Sequence, residues 1–138
     1  MREERGSIFK YIPQRAPFVM IDNLLDVKDG VYTSRFTIGK DNIFLDENAL
    51  KEYALIENIA QTATAGIAFE SQGKVEMLKE GYIGCISKLT IHNSVQVGAQ
   101  LLTTTTKINE IGNLILISGN VYSSGELLIE CNLHISKS

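Results

Sequence analysis

The sequence predicts an α+β fold in which a curled antiparallel sheet of about six strands wraps around one long central helix. Hydrophobic period carries most of that prediction. Ile56, Ile59, Ala60, Ala63 and Ile67 recur at i, i+3, i+4, i+7 and i+11, which is one face of a helix. On either side the sequence reads as strand, with two segments before the helix and four after it. Size agrees: 138 residues, 44% hydrophobic and 21% charged, suit one domain over residues 1–138.

Each element has a local cause. Residues 7–12 form a short helical turn that stops before Pro13, because the residue preceding a proline is pushed out of the helical region. Phe18-Val19-Met20-Ile21 opens a first strand running to Val27. Asp29-Gly30 supplies a two-residue turn into the second strand, 31–37, making a hairpin. The helix is expected over 50–69, closed by Ser71-Gln72-Gly73. Its other side holds Glu57, Gln61, Thr62 and Thr64. Ala60, Ala63, Ala65, Gly66 and Ala68 keep it slender, so a sheet can wrap closely. Propensity alone would not select these threonines and this glycine; packing does. Strands follow at 82–92, 101–109, 114–122 and 127–135, punctuated by Gly98, Ile111-Gly112-Asn113 and Ser124-Gly125. Thr103 to Thr106 is a β-branched run inside one of them. A sheet curled around a buried helix is the hotdog arrangement, which ranks above a β-sandwich, where the helix has no place, while other α+β folds stay open on pattern alone.

Composition excludes several classes of function. Thirteen Lys and Arg against sixteen Asp and Glu leave a net charge of −3, with the basic residues scattered, so no nucleic-acid partner is expected. The longest apolar runs are about five residues, far short of the roughly 20 that a membrane span requires. Met1-Arg2-Glu3-Glu4-Arg5 lacks the apolar stretch of a signal peptide. Cys85 and Cys131 form no metal or disulfide pattern and read as small hydrophobes in apolar stretches. The expected setting is the cytoplasm, with reduced thiols.

Two segments resemble a known family. Ile12-Pro13-Gln14-Arg15-Ala16-Pro17-Phe18-Val19-Met20-Ile21-Asp22 resembles the opening LPHRxPFLLVD of the 3-hydroxyacyl-acyl carrier protein dehydratases. Ala54-Leu55-Ile56-Glu57-Asn58-Ile59-Ala60-Gln61 resembles the xLIExxAQ start of that family's central helix. A weaker match joins Gly84-Cys85-Ile86-Ser87-Lys88-Leu89-Thr90-Ile91 and Val97-Gly98 to the family's next strand and PVxxGD turn, with Ala99 at the Asp position. The sequence is most similar to the shorter dehydratase-like proteins of aryl-polyene-type pathways.

The resemblance implies a hotdog protein acting on acyl thioesters in fatty-acid or polyene biosynthesis. Removing water from a 3-hydroxyacyl thioester needs a base for the C2 proton, an acid for the departing C3 hydroxyl, and donors for charge developing on the thioester oxygen. By match, Glu57 is the family's helix carboxyl group, with Gln61 beside it one turn on. The bland reading of Glu57 is a carboxylate favoured near a helix N-terminus. The family's histidine comes from a Gly/Pro-rich turn before the helix, across a two-subunit interface. Here the window 40–52 contains no His, Pro or Gly, and Gln14 replaces the opening motif's histidine. An amide cannot act as a base near neutral pH. His92 and His134 alternate away from their apolar neighbours and read as structural or surface residues first, with a substitute catalytic role as the alternative. Asp46 and Glu47 are further carboxylates in the altered window, with Asp46 reading more readily as a helix-start residue. Tyr53 supplies either a hydroxyl near the site or packing. The substrate-binding candidates are Arg15, Pro17, Phe18, Gly84 and Lys88, with Arg15 and Lys88 facing a phosphopantetheine or an acidic carrier protein. Ala63, Gly66 and Gly84 govern any acyl tunnel.

Three functions stay open at this level: a dehydratase with an unorthodox base, a non-catalytic binder or partner subunit of a dehydratase, and a hotdog thioesterase using Glu57. No bound cofactor or metal is expected; the substrate carries its own phosphopantetheine. The expected partners are acyl carrier protein or acyl-CoA, plus a second subunit. That subunit is either another copy, in a homodimer or larger homo-oligomer, or a catalytic hotdog chain, since a curled sheet leaves open edges.

Overall fold

The computed structural model describes residues 5–71 and 82–136. A 3₁₀ turn at Arg5–Lys10 leads through an extended strap to β1 (Asn23–Lys28) and β2 (Val31–Thr37). A two-rung hairpin, β3 (Leu45–Asp46) and β4 (Ala49–Leu50), precedes α1 (Glu52–Glu70). Four long strands follow: β5 (Tyr82–Ile91), β6 (Gln100–Ile111), β7 (Leu114–Ser123) and β8 (Glu126–Ser136). The six long strands make one antiparallel sheet in the order β1-β2-β6-β7-β8-β5, curled around the helix, so the predicted hotdog architecture is present.

Two expectations about elements need correction. Residues 18–22 are not strand: Gln61 and Asn58 of the helix take their backbone groups in place of a neighbouring strand. The window expected to run into the helix instead folds into β3–β4, which places Asp46 in a strand rather than at the helix start. Lys51 occupies the N-cap with no side-chain cap bond.

Core packing explains the slender helix. All of α1 from Ala54 to Ala68 is buried except Glu57. Asn58, Gln61 and Thr62 are buried as well, because they hydrogen-bond across to the strap and the sheet. A Cβ on Gly66 would lie 2.1 Å from Cγ of the fully buried Tyr32 ring. Gly66 is therefore filled by Tyr32 and opens no tunnel. On the sheet, a Cβ on Gly119 of β7 would meet Ile59 of the helix at 2.4 Å.

The helix does not cover the whole sheet. It lies over β1, β2, β6 and β7 and reaches β8 only at its margin. Ile86 and Ile91 of β5 pair with the buried Leu133 and Ile129, so they face the helix side, yet they are 43% and 47% exposed. β5 also leaves one edge unpaired. The strand bulges between Ser87 and Thr90, with Lys88 at φ 52°.

Candidate functional site

Tyr53, Glu57 and Gln61 follow at i, i+4 and i+8 on the first half of α1, forming one stripe. Gln61 is fully buried and its amide has three partners. Its Oε1 accepts the Met20 N–H at 2.7 Å, while its Nε2 donates to the Phe18 carbonyl at 2.9 Å and to Glu57 Oε1 at 3.0 Å. These partners fix which end of the amide faces the carboxyl group. Glu57 is half-buried and receives a donor at Oε1; its Oε2 has no partner among the described residues.

A second amide works beside the first. Asn58, also fully buried, donates from Nδ2 to the Met20 carbonyl at 2.6 Å and accepts the Thr103 hydroxyl at Oδ1. Met20 thus has its N–H held by Gln61 and its C=O held by Asn58, much as a neighbouring strand would hold them. The Met20 sulfur accepts a hydrogen bond from Asn42 Nδ2 at 3.2 Å, which ties in the segment before β3. Thr62 donates to the Asn58 carbonyl at 2.8 Å, so Ser34, 2.6 Å from Thr62, is the donor to it. Every buried polar group in this chain of contacts is paired, as low-dielectric surroundings demand.

Other sequence candidates fall in different surroundings. Arg15 is held at home: its guanidinium donates to the carbonyls of Phe9, Ile12 and Gln14 and stacks on the Phe9 ring at 5.0 Å. Gln14 buries its Oε1, which has no partner among the described residues. Pro17 follows a cis peptide bond, and Phe18 is 55% exposed beside its carbonyl's bond to Gln61. Tyr53 does not pack into the core; it is 59% exposed and rests against Phe44, with ring centroids 5.5 Å apart. Ile43, 47% exposed, extends this apolar margin. Asp46 and Glu47 are exposed, Glu47 in the β3–β4 turn at φ 59°.

The second group lies on β5 or the outer sheet face. Gly84 and Lys88 are exposed on β5, and a Cβ on Gly84 would meet only the His134 carbonyl at 3.6 Å. His92 is exposed and bonds Glu130 at 2.8 Å. His134 faces away from α1 and, with Asn109, Ile111, Leu114 and Leu116, lines an outer cavity of about 180 Å³. Neither histidine lies on the helix side of the sheet. Cys85 is not the buried hydrophobe its context suggests but an exposed edge residue; Cys131 is buried, and both thiols are free. Burial pushes the Cys131 thiol up to about 11.

Sequence reasoning passed over Asn58, Met20 and Thr103. The available signal was Asn58 itself, an amide between Ile56 and Ile59 in an apolar helix, where a polar side chain requires a buried partner.

Known proteins resemble this chain over most of its length. A 3-hydroxyacyl-[acyl-carrier-protein] dehydratase, FabZ, of Campylobacter lari is 27% identical over 139 residues, covering 92% of each chain. The enzyme of the same name from Escherichia coli is 25% identical, covering 96% of this chain and 91% of its own. Among solved structures, the dehydratase heterocomplex ApeI:P from Xenorhabdus doucetiae superposes with a TM-score of 0.86 at 18% identity, covering 95% of this chain and 90% of that one. A hypothetical thioesterase from Streptococcus pneumoniae, solved with coenzyme A, has a TM-score of 0.65 at 7% identity, with 83% and 84% covered. These structures share the hotdog fold. The family description ApeP-like, ApeP dehydratase, matches residues 6–138, and the chain belongs to that family.

Proposed function

We propose that this chain supplies the carboxyl half of a dehydratase site, shared with a second hotdog subunit, that removes water from a 3-hydroxyacyl chain carried on phosphopantetheine. The observation that carries it is Glu57: a half-buried carboxyl group with one oxygen held by Gln61 and the other without a partner among the described residues, in a site to which neither histidine of the chain contributes.

The arrangement suits one of the two proton transfers. With Oε1 occupied by the Gln61 N–H, Oε2 is the atom that carries a proton to the departing C3 hydroxyl. The C2 proton needs a base, and Gln14 is an amide that cannot serve. A histidine-bearing partner docked on β5 fills that role. The uncovered apolar side chains Ile86 and Ile91, and the unpaired edge beside them, support such docking. The uncapped first turn of α1 adds backbone N–H donors and the positive end of the helix dipole for the thioester oxygen.

Co-expression with a histidine-bearing dehydratase subunit, followed by incubation with 3-hydroxyacyl-carrier protein, tests the proposal by mass spectrometry. The assembly is expected to remove one water, and Glu57→Gln in this chain should lower kcat by about 10²–10⁴-fold with the assembly intact. If the partner turns over equally well with Glu57→Gln, this chain is a binding or scaffolding subunit. Release of free thiol instead of water would favour the thioesterase reading.

A further inference from the structure

Glu57 and Gln61 do not fix their own geometry. The Gln61 amide is oriented by the Met20 N–H, and the Met20 peptide is held from its other side by Asn58. Asn58 is oriented in turn by the Thr103 hydroxyl from β6 and is anchored through its carbonyl by Thr62. We propose that Asn58, held by Thr103, is a positioning residue for Glu57, acting through the Met20 backbone and the Gln61 amide.

Polarity along this chain of contacts allows one arrangement. The Met20 carbonyl can only accept, so Asn58 must turn Nδ2 toward it and offer Oδ1 to the Thr103 hydroxyl, which donates. That bond holds Met20 at its carbonyl, and the N–H of the same residue, in the preceding peptide plane, meets Gln61 Oε1. With its oxygen engaged there, Gln61 has only its NH₂ to present to Glu57. A flipped amide would place an oxygen against the carboxylate, which is repulsive in a buried site. All three amide groups are fully buried, so water cannot substitute for a lost partner. Asn42, on the Met20 sulfur, couples the segment before β3 to the same peptide.

The catalytic consequence rests on the dehydratase reading above, but the positioning itself is observable without turnover. In ¹⁵N-labelled protein, the two Gln61 NH₂ protons report their separate bonds to Phe18 and Glu57 by distinct shifts and slow exchange. Asn58→Ala should speed that exchange about tenfold and draw the two shifts together. Should Asn58→Ala fail to fold, the isosteric Thr103→Val serves, and Thr103→Ser should restore the wild-type signals. A folded Asn58→Ala or Thr103→Val protein with unchanged Gln61 exchange and shifts would overturn the proposal. In the active assembly, Thr103→Val should lower kcat and leave KM near wild type, which mere loss of folded protein would not do. Altered Gln61 signals with no turnover in any assembly would remove the dehydratase reading and leave the positioning intact.

Discussion

Thr103 and Thr105 are two positions apart on β6, both fully buried on the face toward α1, yet their hydroxyls have opposite standing. Thr103 donates to Asn58, whereas Thr105 Oγ1 has no hydrogen-bond partner among the described residues. Thr105→Val removes a buried hydroxyl that has already lost its water, and should raise unfolding free energy by ~1 kcal/mol. Thr103→Val leaves the Asn58 oxygen unpaired and should lower it by ~1–3 kcal/mol. Urea denaturation midpoints at constant slope read both signs. The cysteines differ in the same physical way. With the Cys131 thiol raised by burial to about 11 and Cys85 exposed, a disulfide reagent at pH 8 should titrate one thiol per native chain and both in urea. The folded pKa of Cys131 lies above its unfolded value of 9, so its contribution to stability is present below pH 9 and is lost as pH rises toward 11. Tyr32, raised by burial and by its bond to Glu70, extends the loss to higher pH.

At the scale of elements, α1 is shaped by what it must fit. A glycine inside a helix ordinarily costs ~1 kcal/mol relative to alanine. Gly66→Ala should nonetheless destabilise, because the added methyl falls on the Tyr32 ring, which is fully buried and held through its hydroxyl by Glu70 at 2.6 Å. Overpacking of that kind costs ~1–3 kcal/mol or more, which exceeds the propensity gain. Thermal unfolding should show a midpoint several degrees lower. An unchanged or higher midpoint would mean that Tyr32 can move aside. The strap at 18–22 makes the complementary point, since the Phe18 carbonyl and both backbone groups of Met20 are taken by helix side chains and no strand pattern in the sequence announces that.

For the molecule as a whole, β5 is the exposed element. Ile86 and Ile91 face the helix side without a helix over them. Replacing both with lysine should leave chain stability within ~0.5 kcal/mol, because neither is buried in the single chain. The same change should shift sedimentation from an assembled species to the single chain, with or without a histidine-bearing partner. Persistence of the assembly would place the interface elsewhere, with the outer patch around Ile111 and Leu114 the next face to test.

The hydrophobic period, the Asp29-Gly30 turn and the run of small residues placed the hotdog architecture above a β-sandwich, because period and turn chemistry are local properties of the chain, and the family resemblance singled it out from other α+β folds. The opening and helix motifs placed Glu57 and Gln61 in one stripe, since i and i+4 are neighbours on any helix. Tertiary structure alone decided that Arg15 is held by its own turn and that Tyr53 stays outside the core. It alone joined Asn58 to Thr103, 45 positions away, and to the Met20 carbonyl, 38 positions away. Such partners are chosen by which buried polar groups the closed sheet brings within reach of one another, and burial is a property of the assembled layers rather than of any segment.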